Sequence, residues 1–340
     1  MAGVAADTLD GVPPPLPETR LHVVTGKGGT GKTTVAAALA LALASGGRSV
    51  LLVEVEARQG LAQLFDVPPL PYEERSLAVA PGGGEVLGLA IDPEAALLEY
   101  LDMYYRLGRA GKALERFGAI DFATTIAPGL RDVLLTGKVY EAHARRGPDK
   151  QPVYDAIVVD APPTGRITRF LNVNAEVSGL ARMGPIHNQA DSVMRMMRSP
   201  GTAVHLVTVL EEMPVQETLD GITALSAIDL PVGRVIVNLA QRSPLEPAHR
   251  AMVAAGSLDE SAVGAVLSSV GLPAEASVTS GLLHEGREHI ERLALQERQR
   301  AVLAELLLLQ PAVELPRLAG GIDLGGLYDL AEVLCAGGVA

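Results

Sequence analysis

Residues 21–44 run LHVVT, GKGGTGKTT, VAAALALALA without interruption. An apolar run, a glycine-rich loop and an Ala/Leu run predict a strand, a tight turn and a helix in immediate succession. The loop fits Gly-x-x-x-x-Gly-Lys-[Ser/Thr] at Gly26, Gly31, Lys32 and Thr33. Glycine lets the backbone turn its N–H groups toward an anion, and the helix N-terminus adds a favourable dipole. The expected ligand is the phosphate chain of a nucleotide, cradled by Gly26, Gly28, Gly29, Thr30, Gly31, Lys32, Thr33 and Thr34. Lys32 is expected to meet the β- and γ-phosphates, and Thr33 to ligate Mg²⁺.

The remaining chain extends the pattern. SVLLVEV (49–55), VLGLAI (86–91), DAIVV (155–159), AVHLVTV (203–209), RVIVN (234–238) and VELP (313–316) read as strands. Near-continuous Val/Ile/Leu runs suit strands covered on both faces, and helical patterns separate them. The expected fold is therefore an α/β P-loop domain: a mostly parallel central sheet flanked by helices, with helical insertions. The insertions fall at about 92–150 and 172–200, where two connections exceed simple crossovers. Leu97, Leu98, Leu101 and Tyr105 form a stripe on the first; Ile186, Ala190, Val193, Met194 and Met197 form one on the second. Residues 1–20 read as a loose, Pro-rich arm, 21–340 as a single domain, and 247–310 as mostly helical.

Composition narrows the function classes. A net charge of −12, only 3% aromatics and no Trp argue against a nucleic-acid-binding face. One cysteine, Cys335, excludes an internal disulfide and fits a reducing cytoplasm. The first twenty residues lack the basic start and apolar stretch of a signal peptide, and the ten-residue run 35–44 is too short to span a bilayer. A soluble, cytoplasmic chain is expected, with any membrane association running through a partner or cargo.

Other residues suggest the rest of a site. DAIVVDAPPTG (155–165) ends an apolar strand in Asp160 before a Pro/Gly turn. The C-terminal edge of a parallel sheet is where α/β folds bind ligands, so Asp160 is expected to hold Mg²⁺ directly or through water. Glu54 and Glu56 lie two apart in LLVEVEARQG (51–60) and would share one strand face. Glu56, nearer the strand end, is the candidate for orienting an attacking water; a buried Glu54 would need a partner. Two solvated edge carboxylates are the alternative. Asn238 closes its strand with an amide suited to an adenine edge or to a turn. His284 and His289 are five apart, and none of the seven histidines shows metal spacing.

With these residues in place, the chain resembles the arsenical-pump and tail-anchored-protein-targeting ATPases, a branch of the deviant P-loop dimeric ATPases, and is similar above all to the shorter actinobacterial members. GKGGTGKTT matches their loop, including the extra lysine. DAPPTGRITRFL (160–171) resembles their switch II pattern, Asp-Thr-Ala-Pro-Thr-Gly-His-Thr-Leu-Arg-Leu-Leu, at Asp160, Pro163, Thr164, Gly165, Arg169 and Leu171. APGLRD (127–132) is similar to their Pro-Gly-Ile-Asp-Glu segment, and LEEMPVQETL (210–219) and VIVN (235–238) follow in the expected order. The resemblance implies ATP/ADP and Mg²⁺ as ligands and a dimer, either of identical chains or with a paralogous ATPase. It implies that Lys27 reaches phosphates on the facing subunit, as a trans arginine finger does. It also places Pro316 near adenine. Two positions depart from the motifs: Glu56 stands for the switch I aspartate, and Arg166 for the switch II histidine.

The leading expectation is an ATP-driven switch whose catalytic residues are Lys27, Lys32, Glu56 and Asp160, coupled to a hydrophobic or membrane-protein client. Met194, Met196 and Met197 would line a cargo groove or fill the core. The Glu56 departure keeps a second reading open: a nucleotide-holding structural subunit beside a more active paralogue. An arsenite-efflux role is disfavoured, because soft metalloids need several thiolates. A chromosome-partitioning relative would share the two-lysine loop but not this switch II or the long insertions.

Overall fold

The valine-rich runs assemble into one eight-stranded sheet. In the computed structural model, the structure describes residues 19–56, 58–105, 128–172, 185–307 and 312–340. The strands are β1 (Leu21–Gly26), β2 (Ser49–Glu54), β3 (Arg75–Val79), β4 (Glu85–Ala90), β5 (Ala156–Asp160), β6 (Thr202–Thr208), β7 (Val232–Ala240) and β8 (Val313–Pro316), in the order β3-β4-β2-β5-β1-β6-β7-β8. Every neighbouring pair is parallel except β3 with β4. All residues of β1, β5 and β6 are buried, as continuous apolar strands under helices on both faces should be. Arg20, assigned from sequence to the loose arm, already joins the sheet: its N–H donates to the Gly201 carbonyl, and its carbonyl accepts from Ile157 N–H.

Two histidines are among the polar side chains buried within this sheet. His22 on β1 and His205 on β6 are 1% and 0% exposed. Their near-parallel rings are 5.3 Å apart, with His22 Nδ1 3.0 Å from His205 Nε2. His205 Nδ1 accepts from Arg234 N–H at 3.1 Å. Its proton must then sit on Nε2 and be donated to His22 Nδ1, and His22 Nε2–H faces the Thr19 carbonyl at 3.3 Å. The chain is satisfied only when both rings are neutral. Burial agrees, pushing His22 down to about 4 and His205 well below the ordinary histidine range.

Helices cover both faces. On one, α1 (Lys32–Ala44) is sandwiched between the sheet and α11 (Leu324–Ala336). That double covering explains a helix with ten consecutive buried Ala, Leu and Val residues and no polar stripe. The short α2 (Gly60–Leu64) joins this layer. The other face carries α3 (Pro93–Tyr105), α4 (Pro128–Ala144), α5 (Thr164–Leu171) and α6 (Pro185–Met197). Leu97 is buried there, with Val133, Ile167, Phe170, Ala190 and Val193, and Leu98 packs against them; the side chains of Leu101, Tyr105 and Ile186 lie outside the described set. Met194, Met196 and Met197 are 3, 7 and 1% exposed inside the same core. The methionines therefore fill the interior and line no groove. After α7 (Glu212–Ser226), the expected helical stretch forms α8 (Pro247–Ala254), α9 (Glu260–Ser269) and α10 (Ala276–Leu306).

Candidate functional site

The loop between β1 and α1 is shaped by its sequence. Gly26 ends β1 where a Cβ would strike the Val207 carbonyl of β6. Gly29 and Gly31 adopt φ of 89° and 84°, a region that favours glycine. Thr30, 1% exposed, donates its hydroxyl to the Lys27 carbonyl at 2.9 Å, closing the turn. Asn238, at the end of β7, donates its amide to the Thr30 carbonyl at 2.9 Å. These bonds fix the loop from within and from below. The first turn of α1 then has neither a side-chain cap nor an acidic residue. Its N–H groups carry the positive end of the helix dipole, which favours an anion.

Thr33 and Asp160 meet beside this helix end. The Thr33 hydroxyl donates to Asp160 Oδ2 at 2.7 Å. Asp160 Oδ1 is buried without a hydrogen-bond partner among the described residues. Burial raises the Asp160 carboxyl to about 6, against the Thr33 hydrogen bond and Lys32, which favour its ionised form; Glu54 and Glu56 push it up further. Half-buried Lys32 is lowered by burial, while Asp160 and Glu56 raise it and Arg58 lowers it. The adjoining turn is anchored by Thr25, whose hydroxyl donates to the Pro162 carbonyl at 2.7 Å.

The two glutamates do not share a strand face. β2 stops at Glu54, and Glu56 lies beyond it in a bend. Glu54 is 2% exposed; its Oε2 accepts the Leu61 N–H at 3.1 Å at the start of α2, and its Oε1 has no partner among the described residues. The partner that a buried Glu54 required is thus a backbone amide. Glu56 stays at the mouth of the site. Its Oε2 lies 3.5 Å from Arg58 Nη2 and its Oε1 3.8 Å from Arg166 Nη1. Arg166 Nη2 is in turn 4.0 Å from Asp132 Oδ1 on α4. The two positions that depart from the family motifs, Glu56 and Arg166, therefore face each other.

Lys27 points across the loop to a residue that no sequence signal singled out. Its Nζ is 2.7 Å from Glu217 Oε1 on α7, with both side chains about one-third exposed. Next to the loop, a cleft of about 500 Å³ opens beyond the C-terminal ends of β6, β7 and β8. Leu210, Leu239, Gln241, Gln296 and the turn from Arg317 to Ile322 line it. Pro316 precedes that turn, and Asn238 precedes Leu239. Leu239 has φ of 57° at a register shift between β7 and β8, an uncommon conformation for a bulky side chain, and remains 42% exposed. The lining turn lacked any motif; its available signal was the Gly320-Gly321 pair, with φ of 87° and 96°. Among the described residues, no three His, Cys, Asp or Glu side chains cluster in a way that could hold a metal.

Residues 19–201 match a family model described as anion-transporting ATPase. The chain is 56% identical over 331 residues to ATPase BagA of Mycobacterium tuberculosis (strain ATCC 25618 / H37Rv), covering 97% of this chain and 96% of that protein. It is 29% identical over 179 residues to ATPase get3 of Schizosaccharomyces japonicus, covering 50% of this chain and 51% of that one. To ATPase GET3 of Kluyveromyces lactis it is 26% identical over 249 residues, covering 63% and 70%. Through its loop, its switch motifs and this match over more than half its length, the chain belongs to the anion-transporting ATPase family.

Proposed function

We propose that this ATPase is a dimeric switch: ATP binds at the α1 loop, two subunits close over it, and hydrolysis lets them part. The carrying observation is the uncapped N-terminus of α1, aimed by two left-handed glycines and flanked by Lys32. A helix end in that state lacks only an anion. The loop amides of Gly26 to Thr34 would hold the phosphates, with Lys32 on the terminal ones. The cleft beside Asn238 is the place for the base, where exposed Leu239 offers an apolar surface and Pro316 leads into the lining turn.

Mg²⁺ fits the neighbouring oxygens. Thr33 offers a hydroxyl, and Asp160 a buried carboxylate oxygen that has no hydrogen-bond partner among the described residues. One or two protein ligands with phosphate and water completing the shell is the ordinary arrangement for this ion. When bound, Mg²⁺ would neutralise phosphate charge. Glu56 would orient the attacking water at the mouth of the site, and Lys27 would leave Glu217 to reach the partner's nucleotide. The second subunit is another copy or a paralogue, and the client is a hydrophobic or membrane protein. The buried methionines shift the client surface elsewhere. No described helix is long and apolar enough to cross a membrane; the reading places the cycle in the cytoplasm, with membrane contact through partners.

Light scattering and ATP turnover, measured together with ATP·Mg and with ADP, test this reading. Wild type should be dimeric with ATP·Mg. Lys32→Ala should bind nucleotide at least tenfold more weakly and lose turnover. Lys27→Ala should bind nucleotide yet remain monomeric. A monomer in every nucleotide state, unmoved by Lys27→Ala, would overturn the switch. Dimerisation and tight binding without turnover would favour the nucleotide-holding subunit.

A further inference from the structure

Glu56 has a difficulty as the residue that orients water. A glutamate side chain carries three rotatable bonds, and Glu56 sits beyond the end of β2, where no strand pairing fixes its backbone. A catalytic group must be held to within a fraction of an ångström. Something other than β2 has to hold it.

We propose that Arg166 is the positioning residue for Glu56, and that it ties this carboxylate to Asp132 on α4. The guanidinium is a planar fork whose terminal nitrogens can serve different carboxylates. Here Nη1 faces Glu56 Oε1 at 3.8 Å and Nη2 faces Asp132 Oδ1 at 4.0 Å. Arg58 Nη2 stands on the other oxygen of Glu56 at 3.5 Å, so the carboxylate lies between two guanidiniums. Arg166 is itself well placed. It lies in the first turn of α5, which begins four residues after Asp160, and its N–H donates to the Pro163 carbonyl at 2.8 Å. Ile167, Phe170 and Leu171 anchor α5 in the core.

Exposure separates positioning from stabilisation. The Arg166 side chain is 58% exposed, and ion pairs of that kind contribute little to folding. Asp132 is different: its side chain is 7% exposed, on a helix packed into the core through Val133 and Leu134. It is a fixed post, and Arg166 is the arm reaching from it. Both distances exceed a direct hydrogen bond, so here the fork stands within ion-pair reach of both carboxylates, and it would hold Glu56 firmly once a small approach of α5 shortens both contacts. A change at the mouth of the nucleotide site would thereby reach α4 in the helical layer.

This inference rests on the ATPase reading of the site, and a double-mutant cycle tests it separately. Glu56→Gln and Arg166→Gln should each lower kcat about tenfold or more while KM for ATP changes less than about twofold. The double variant should be no slower than the slower single, because both remove one function. Arg166→Lys should recover part of kcat by restoring charge without the fork. Urea midpoints of wild type and Arg166→Gln should coincide, excluding a folding effect. Asp132→Asn added to Arg166→Gln should not lower kcat further; should Asp132→Asn fail to fold, the Glu56/Arg166 cycle still decides. Multiplying effects in the double variant, or wild-type kcat in Arg166→Gln, would overturn the bridge. Turnover that survives Lys32→Ala would instead sink the ATPase reading of the site.

Discussion

At the residue scale, Asp160 shows a site arranged against folding stability. A carboxylate raised to about 6 by burial is held ionised at neutral pH at a cost, and its Oδ1 has no hydrogen-bond partner among the described residues to offset that cost. Asp160→Asn removes the charge and keeps an acceptor for the Thr33 hydroxyl. The nucleotide-free protein should gain about 1–3 kcal/mol, a few degrees in Tm, while Mg²⁺-dependent nucleotide affinity falls. Thermal melts with and without ATP·Mg check both halves; a lower Tm with unchanged Mg²⁺ dependence would make Asp160 a structural residue. The placement of Lys32, Thr33 and Asp160 was legible because each is fixed by local pattern: a helix start, or the end of an apolar strand. The meeting of Thr33 with Asp160 then follows from β1 and β5 being parallel neighbours. Glu217 and the Arg166–Asp132 contact were not legible, because each joins elements distant in sequence, and an exposed charge carries no periodic signal. The shared face expected of Glu54 and Glu56 failed for a simpler reason: apolar content extends through Val55, but the pairing of β2 stops at Glu54.

Elements followed apolar continuity closely where they were buried on both faces. β1, β2 and β4 to β8 lie where apolar runs predict them. β3 escaped because it is an edge strand with mixed exposure, paired antiparallel to β4, and only the turn PGGG at 81–84 announces it. α11 escaped behind two early glycines, although Asp323 caps it by accepting Gly326 N–H at 2.8 Å. Apolar content alone does not separate the methionines of α6 as core from the same residues as groove. The histidine pair is the element-scale feature with a thermodynamic consequence. An unfolded chain takes up a proton on each histidine below about pH 6.5. The folded chain holds His22 neutral down to about 4, and His205 neutral well below its ordinary range. Between those limits the unfolded state binds more protons, so the pair's contribution is fully present above about 6.5 and is lost as pH falls. His143, also pushed down to about 4 by burial and by Arg20 and Arg146, adds the same sign, and Asp160, raised to about 6, opposes it. The clean observable is therefore a difference. Urea unfolding of His205→Gln between pH 7 and 4.5 should show a slope shallower than wild type by up to about 1.4 kcal/mol per pH unit. Parallel slopes would mean that the folded pair takes up its proton in this window as the unfolded chain does, and would overturn the neutral pair.

At the scale of the whole molecule, the contact between Lys27 and Glu217 sets a condition on assembly. Lys27 cannot hold a carboxylate of its own subunit and serve a phosphate of the partner at once. On the proposed trans role of Lys27, closure of a symmetric dimer would break the 2.7 Å pair in each subunit. Both side chains are about one-third exposed, so each pair is worth at most about 1 kcal/mol, and the two together oppose closure by at most about 2 kcal/mol. That is a weak restraint beside the gain of a charge on ATP, and it would bias closure toward the nucleotide-bound state by no more than that amount. Glu217→Gln should therefore tighten the ATP-bound dimer by about 3- to 30-fold, as measured by sedimentation across protein concentration. Lys27→Ala should abolish the effect of the second substitution. Removing one negative charge from a chain of net charge −12 would also ease repulsion between subunits. Glu212→Gln, the same charge change at the exposed start of α7, measures that general term. If Glu212→Gln tightens the dimer as much as Glu217→Gln does, the effect is bulk electrostatics. If Glu217→Gln loosens the dimer, Glu217 is part of the interface itself and not a restraint on Lys27.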